Sequence, residues 1–259
     1  MNMNSLLSIN KSGLNGLQKS MDVVSNNIAN VNTVGYKSRD TSFQELLNNQ
    51  TTAQEVSLSP QATNTALNEG LEVNQENINF AQGSLQNTDS PYDMAIEGQG
   101  FFGVYDQNNN LLLTRDGDFH RNGNGELVNQ QGYRLSIDSS VPQNSWPKGN
   151  VRIDSNGSVN VQDGERTVQV GRIPLYSPNN TNDLQSIGNN LYRVANGAQL
   201  NTAFNGGLGS IQQYHLENST VDLSDSMSNM IITQRAYGLN AKAVQATDDM
   251  LSVVNKFSE

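Results

Sequence analysis

The sequence predicts an α+β fold in which N- and C-terminal helices pair as a coiled coil and a central antiparallel β domain lies between them in the chain. Three observations carry that expectation. Apolar residues repeat at heptad spacing at both ends, the middle consists of short apolar runs cut by Asn-Gly and Asp-Gly pairs, and no apolar stretch is long enough to span a bilayer.

At the N-terminus, Leu7, Leu14, Leu17, Met21, Val24, Ile28 and Val31 fall on one seam, three and four apart after Leu14. A helix over 5–31 is expected, about 40 Å long at its rise per residue. Asn32 and Gly35 are plausible residues for ending it, which makes 1–35 an N-terminal coiled-coil helix. Residues 36–90 are rich in Gln and Asn and read as an extended connector, with weak helical character at 43–47. That length is too great for a simple loop inside a compact domain.

A β domain is expected over 91–205, with strands at 94–96, 101–105, 111–114, 127–128, 133–135, 151–153, 158–161, 168–170 and 173–176. Hairpin turns are expected at Asp116-Gly117, Asn122-Gly123-Asn124-Gly125, Asn156-Gly157 and Asp163-Gly164. A return connector, 206–221, leads to the C-terminal coiled-coil helix, 222–259, whose start carries Asp222 and Asp225 where a helix N-terminus favours negative charge. There Leu223, Met227, Met230, Tyr237, Ala241, Val244 and Leu251 form one seam, interrupted by Gln234 and Asp248. Leu239, Ala243, Ala246, Met250, Val253 and Phe257 form a second stripe beside it. Two adjacent stripes call for two neighbours, and a single partner helix supplies one. The helical ends are therefore expected to be buried between subunits, and head-to-tail contacts that do not close generate a helical filament.

Polar residues inside these seams are expected to set register. Asn26, Asn27 and Asn30 flank Ile28 and Val31, and Gln234, Arg235, Tyr237 and Asn240 take the corresponding part at the other end.

Composition narrows the function classes. The net charge is −10, only 35% of residues are hydrophobic, and Asn makes up about one residue in seven. The 15 Lys and Arg form no basic stripe, so nucleic acid is not an expected partner. The absence of cysteine excludes disulfides, thiolate metal sites and cysteine nucleophiles. Residues 1–10 have neither a basic leader nor a continuous apolar run, so neither a cleavable secretory signal nor direct membrane insertion is expected.

No catalytic, cofactor-binding or metal residues are assigned. Gly98-Gln99-Gly100-Phe101-Phe102-Gly103 matches a dinucleotide fingerprint in letters, but a phosphate cradle must open a helix, and the residues that follow read as strand and turn. Gly98 and Gly100 are expected to serve a tight backbone turn. His120 and His215 lack companions at metal-ligand spacing, and Asp116, Asp118 and Asp138 sit in or near turns, where Asp is favoured for backbone reasons.

Two terminal blocks are recognisable. Ser25-Asn26-Asn27-Ile28-Ala29-Asn30-Val31-Asn32-Thr33-Val34-Gly35-Tyr36-Lys37, and Met230-Ile231-Ile232-Thr233-Gln234-Arg235-Ala236-Tyr237 with Asn240-Ala241-Lys242, resemble the terminal signatures of the flagellar rod and hook protein family. Ala95-Ile96-Glu97-Gly98-Gln99-Gly100-Phe101-Phe102, Thr114-Arg115-Asp116-Gly117-Asp118-Phe119 and Gly125-Glu126-Leu127-Val128 resemble its β region. Phe80-Ala81-Gln82-Gly83-Ser84-Leu85 and Ser186-Ile187-Gly188-Asn189-Asn190-Leu191-Tyr192 are most similar to its distal-rod branch.

The resemblance implies a subunit of the basal-body rod in the cell envelope, exported by the flagellar type III apparatus and transmitting motor torque to the hook. It implies copies of itself in a helical filament and neighbouring rod and hook proteins as partners. The assembly surface is expected at Leu14, Leu17, Met21, Val24, Ile28 and Val31 against Met227, Met230, Tyr237, Val244 and Leu251. The alternatives are another axial component, of proximal-rod or hook type, and an oligomeric β-rich carbohydrate-binding module. Trp146, the only tryptophan, is the one indole available for sugar stacking in that last reading.

Overall fold

A computed structural model describes residues 3–48, 67–139, 141–147, 149–164, 166–195, 199–203 and 208–257. The chain divides into two compact units, each discontinuous in sequence. The first comprises Met1–Asn30, Ser38–Asn79 and Val221–Glu259, and the second Val31–Lys37 and Phe80–Thr220.

The first unit holds two long helices and a hairpin. Helix α1 spans Met3–Ala29, starting and ending two residues before the expected bounds of 5 and 31, and ends where the Asn30 backbone N–H is shared between the carbonyls of Asn26 and Asn27. Helix α2 spans Leu223–Phe257. Asp222 caps it by accepting from the backbone N–H of Ser224 at 2.8 Å and of Asp225 at 3.1 Å, while Lys256 in the last turn complements the dipole. The two helices pack against each other.

Between them in sequence, strands β1 (Arg39–Asn48) and β2 (Leu67–Ile78) pair antiparallel from Arg39 opposite Ile78 to Asn48 opposite Leu67, with register shifts after Thr41 and after Leu46. The helical character expected at 43–47 is therefore replaced by strand. The backbone pairs with a segment some thirty residues away, and that gain outweighs a faint local helical preference. Part of the expected connector, 49–66, lies outside the described residues.

The second unit is antiparallel throughout. Its strands are β3 (Leu85–Asn87), β4 (Met94–Glu97), β5 (Phe101–Tyr105), β6 (Leu111–Thr114), β7 (Phe119–Arg121), β8 (Leu127–Asn129) and β9 (Arg134–Leu135). Then follow β10 (Asp138–Ser139), β11 (Val151–Ile153), β12 (Ser158–Asp163), β13 (Arg166–Arg172), β14 (Leu175–Pro178), β15 (Leu184–Gly188), β16 (Leu191–Val194) and β17 (Leu200–Ala203). Strands β18 (Ser210–Gln213) and β19 (His215–Glu217) close the unit.

The main sheet runs β15-β16-β6-β5-β9-β8-β7, with β14 pairing both β5 and β17; a second sheet runs β10-β13-β12-β11. Residues expected as a return connector contribute β18, which pairs with β4, and β19, which pairs with β3. The core lies among Met94, Phe102, Phe119, Leu127, Val159 and Ile173, with the Phe102 and Phe119 rings edge to face at 5.7 Å. The turns at Asn122–Gly125, Asn156-Gly157 and Asp163-Gly164 join paired strands as expected. Asp116-Gly117 does not: it joins β6 and β7, which do not pair, and a Cβ on Gly117 would meet the Met94 carbonyl oxygen.

Candidate assembly surface

On α1 the most buried positions are Gly13, Gly16, Val23 and Asn27, a line of mainly small residues. The expected seam lies one position further round, and Leu14, Leu17, Met21, Val24 and Ile28 are all half-buried. Val31, which belongs to the second unit, is half-buried too. The offset has a local cause. A Cβ on Gly13 would come within 2.6 Å of Asn240 Nδ2, so glycine leaves room for the Asn240 amide, which donates to the Asn10 carbonyl at 3.3 Å.

Asn27 bonds the start of the hairpin. Its side chain donates to the Arg39 carbonyl at 2.7 Å and accepts from the Arg39 N–H at 3.0 Å, which ties the end of α1 to the first residue of β1. The Asn30 side chain donates back to the Asn26 carbonyl at 2.8 Å and closes the helix end; Asn26 itself is exposed. Asn27 and Asn30 thus help organise the C-terminal end of α1.

On α2 the protected line is Ser226, Met230, Thr233, Tyr237, Asn240, Val244 and Thr247, spaced alternately four and three apart. Met230, Tyr237 and Val244 of the expected seam lie on it, half-buried, whereas Leu223 and Met227 are exposed. Thr233 and Thr247 return their hydroxyls to the carbonyls four residues back, so these buried hydroxyls make their own bonds. Gln234 and Arg235 are exposed, and the Leu251 side chain lies outside the described residues.

The second predicted stripe is open to solvent at Leu239, Ala243, Ala246, Met250 and Val253, with Leu239 68% exposed, and the Phe257 side chain lies outside the described residues. Ile232, 64% exposed and one heptad before Leu239, extends it. Beside them Leu223, Met227 and Ile231 are exposed as well. Exposed large apolar side chains are thus concentrated along α2.

In the second unit, Gly35 has φ +66°, and a Cβ there would fall 2.5 Å from the Asp116 backbone nitrogen and 2.6 Å from the Arg115 carbonyl carbon. Its place is thus set by close approach to the 114–117 turn, six residues beyond the end of α1. Gly98 and Gly100 have φ +104° and +129° and lead into strand β5, so this segment opens no helix and presents no phosphate cradle.

Sequence reasoning left three buried charges out of the site. The Lys37 ammonium bonds Glu217 Oε1 at 2.7 Å, and an Arg115 guanidinium nitrogen lies 3.3 Å from Glu217 Oε2. Burial pushes the pKa of both cations down, and Glu217 pulls each back up. Lys37 and Arg115 both fall inside blocks that carry the family resemblance, which is the signal that could have singled them out.

Asp116 is mostly buried, and desolvation pushes its carboxyl up to about 6, helped by the charges of Asp118 and Asp93 and opposed by the Asp118 N–H that it accepts. Asp118 accepts from the Gln130 amide at 2.6 Å, so both carboxylates are occupied in shaping the turn. His215 Nδ1 contacts the Gln213 carbonyl, and His120 is exposed. Trp146 is buried and donates to the Val141 carbonyl at 3.1 Å, which removes it from any sugar-stacking surface.

The chain matches three family models in order: "Flagella basal body rod protein" over residues 7–37, "Flagellar hook protein FlgE/F/G D1 domain" over 95–161, and "Flagellar basal body rod FlgEFG protein C-terminal" over 212–257. It is 37% identical to the flagellar basal-body rod protein FlgG of Buchnera aphidicola subsp. Schizaphis graminum, across 96% of this chain and 97% of the relative. Two proteins of Bacillus subtilis are similar to nearly the same degree. The flagellar hook-basal body complex protein FlhP is 32% identical, across 93% of this chain and 95% of its own length, and the rod protein FlgG is 31% identical, across 93% and 94%.

Proposed function

Because the chain belongs to the flagellar basal-body rod protein family, we propose that it is a structural subunit of the distal-rod type, self-assembling into a helical tube that carries torque from motor to hook. It is not an enzyme: its relatives are named as flagellar basal-body rod proteins, and the role read here is structural. In this reading helices α1 and α2 are the assembling arms and the second unit is the β body.

The observation that carries the assembly reading is the exposed heptad stripe on α2, from Ile232 to Val253. One face of α2 already lies against α1, so this second face is left for neighbouring copies. The half-buried seam of α1, Leu14 to Ile28, is the second surface this reading assigns to subunit contacts. Each side chain that becomes fully buried contributes about 1.5–3 kcal/mol, and a contact repeated along a tube accumulates that gain at every subunit. Neighbouring rod and hook proteins and the flagellar type III export apparatus complete the proposed partners, in the cell envelope.

Replacing Ile232 and Leu239 together by Asp tests the reading. The soluble chain keeps its fold, while rods fail to form and cells do not swim. A motile strain carrying both substitutions would refute it. Similar identity to FlhP and to FlgG within one organism keeps a second axial position open, and locating the tagged subunit along purified basal bodies separates the two.

A further inference from the structure

The chain enters or leaves its second unit at Val31, Lys37, Phe80 and Thr220. Three short segments, 31–37, 80–84 and 217–220, therefore hold the points at which the backbone enters and leaves this unit. All three meet at the buried charges. The Lys37 ammonium, fully buried, donates to the Ala81 carbonyl at 2.7 Å as well as to Glu217. Glu217 Oε1 also accepts from the Gly83 N–H at 2.8 Å, and the Glu217 carbonyl accepts from the Gly35 N–H at 2.7 Å. The Thr220 N–H donates to the Tyr36 carbonyl at 3.1 Å.

Arg115 anchors this group to the main sheet. It donates to the Gly98 carbonyl at 2.7 Å and the Ile96 carbonyl at 3.3 Å, and its guanidinium carbon lies 5.4 Å from the Phe101 ring centre. Two glycines allow the segments to come this close. A Cβ on Gly35 would strike the 115–116 backbone, and one on Gly83 would strike the Asn218 carbonyl oxygen.

Two buried cations around one carboxylate are a poor route to stability alone, since apolar groups of similar volume would serve as well. What the charges add is direction, because charge-assisted bonds to five separate backbone and carboxylate acceptors are satisfied together in one register. The Arg115 Nε–H is buried without a partner, so the arrangement favours position over complete satisfaction.

We infer that Lys37, Arg115 and Glu217 form an ionic clasp that locks the three connecting segments of the second unit into one fixed register. The clasp stands apart from the assembly reading, because it acts in the isolated chain.

Amide hydrogen exchange of the soluble full chain tests it, with K37M and E217Q compared with the parent. The clasp predicts exchange at least tenfold faster at Gly35, Gly83 and Thr220 in both variants, with the amides of β5 and β6 unchanged. Thr220 and Gly35 are the informative sites, since neither bonds a substituted side chain directly. Unchanged protection at both would overturn the inference, because the charges then only fill space. Equal loss of protection in β5 and β6 would overturn it too, because the cluster is then a general element of stability.

Discussion

Asp116 gives the second unit a pH signature of known sign. Its folded carboxyl titrates near 6, above the ordinary value of 3.8, so the fold penalises its charged form. The penalty is complete above about pH 6, fades as pH falls through that value, and is gone below about pH 4. Asp116→Asn, uncharged at every pH, is expected to be more stable than the parent at pH 7, by an amount on the order of 1–3 kcal/mol, and equal to it near pH 4. Urea unfolding of both proteins at the two pH values checks this, and an advantage that persists at pH 4 would assign the effect to something other than charge. Gly35→Ala makes a separate residue-scale case. A positive φ and a backbone contact under 3 Å act together there, so a loss of at least about 2 kcal/mol is expected in the same assay.

The helices were readable as elements because a heptad pattern is local: seven positions suffice to see the stripe, and no partner need be known. Their inner faces were less readable. The heptad pattern puts the seam of α1 on its large apolar residues, whereas the most buried positions include Gly13 and Gly16, and at Gly13 an added Cβ would meet Asn240 of α2. Gly13→Leu is accordingly expected to drive α1 and α2 apart, lowering helical circular dichroism in the soluble protein. By contrast, Ile232→Asp is expected to shift stability by no more than about 0.5 kcal/mol, since the residue is 64% exposed, and to act on assembly alone. A cooperative unfolding midpoint moved by several degrees in that variant would place Ile232 inside the monomer's own packing. The hairpin β1–β2 escaped the sequence for the opposite reason. Thr41, Ser42, Gln44, Glu72, Asn74 and Gln75 supply no period-2 stripe, and the strands exist through backbone pairing across a long separation.

Across the whole molecule, the β strands of the second unit were legible from turn chemistry, but its boundaries were not. Segment 31–37 belongs to the β unit through Lys37, whose carboxylate partner stands 180 residues away, and no local window contains both charges. The same holds for 210–217, where a stretch expected as a connector supplies the pairing strands of β4 and β3. The exposed stripe on α2 has its significance only at this scale, as surface that a single chain leaves open and that many copies cover in the proposed assembly. Since the sequence contains no cysteine, Leu239→Cys introduces the only thiol and reports directly on that surface. Maleimide labelling of this variant, as dilute soluble protein and within purified basal bodies, is the decisive measurement. The account predicts rapid labelling in solution and at least tenfold protection in the assembled rod, and labelling at one rate in both states would contradict it.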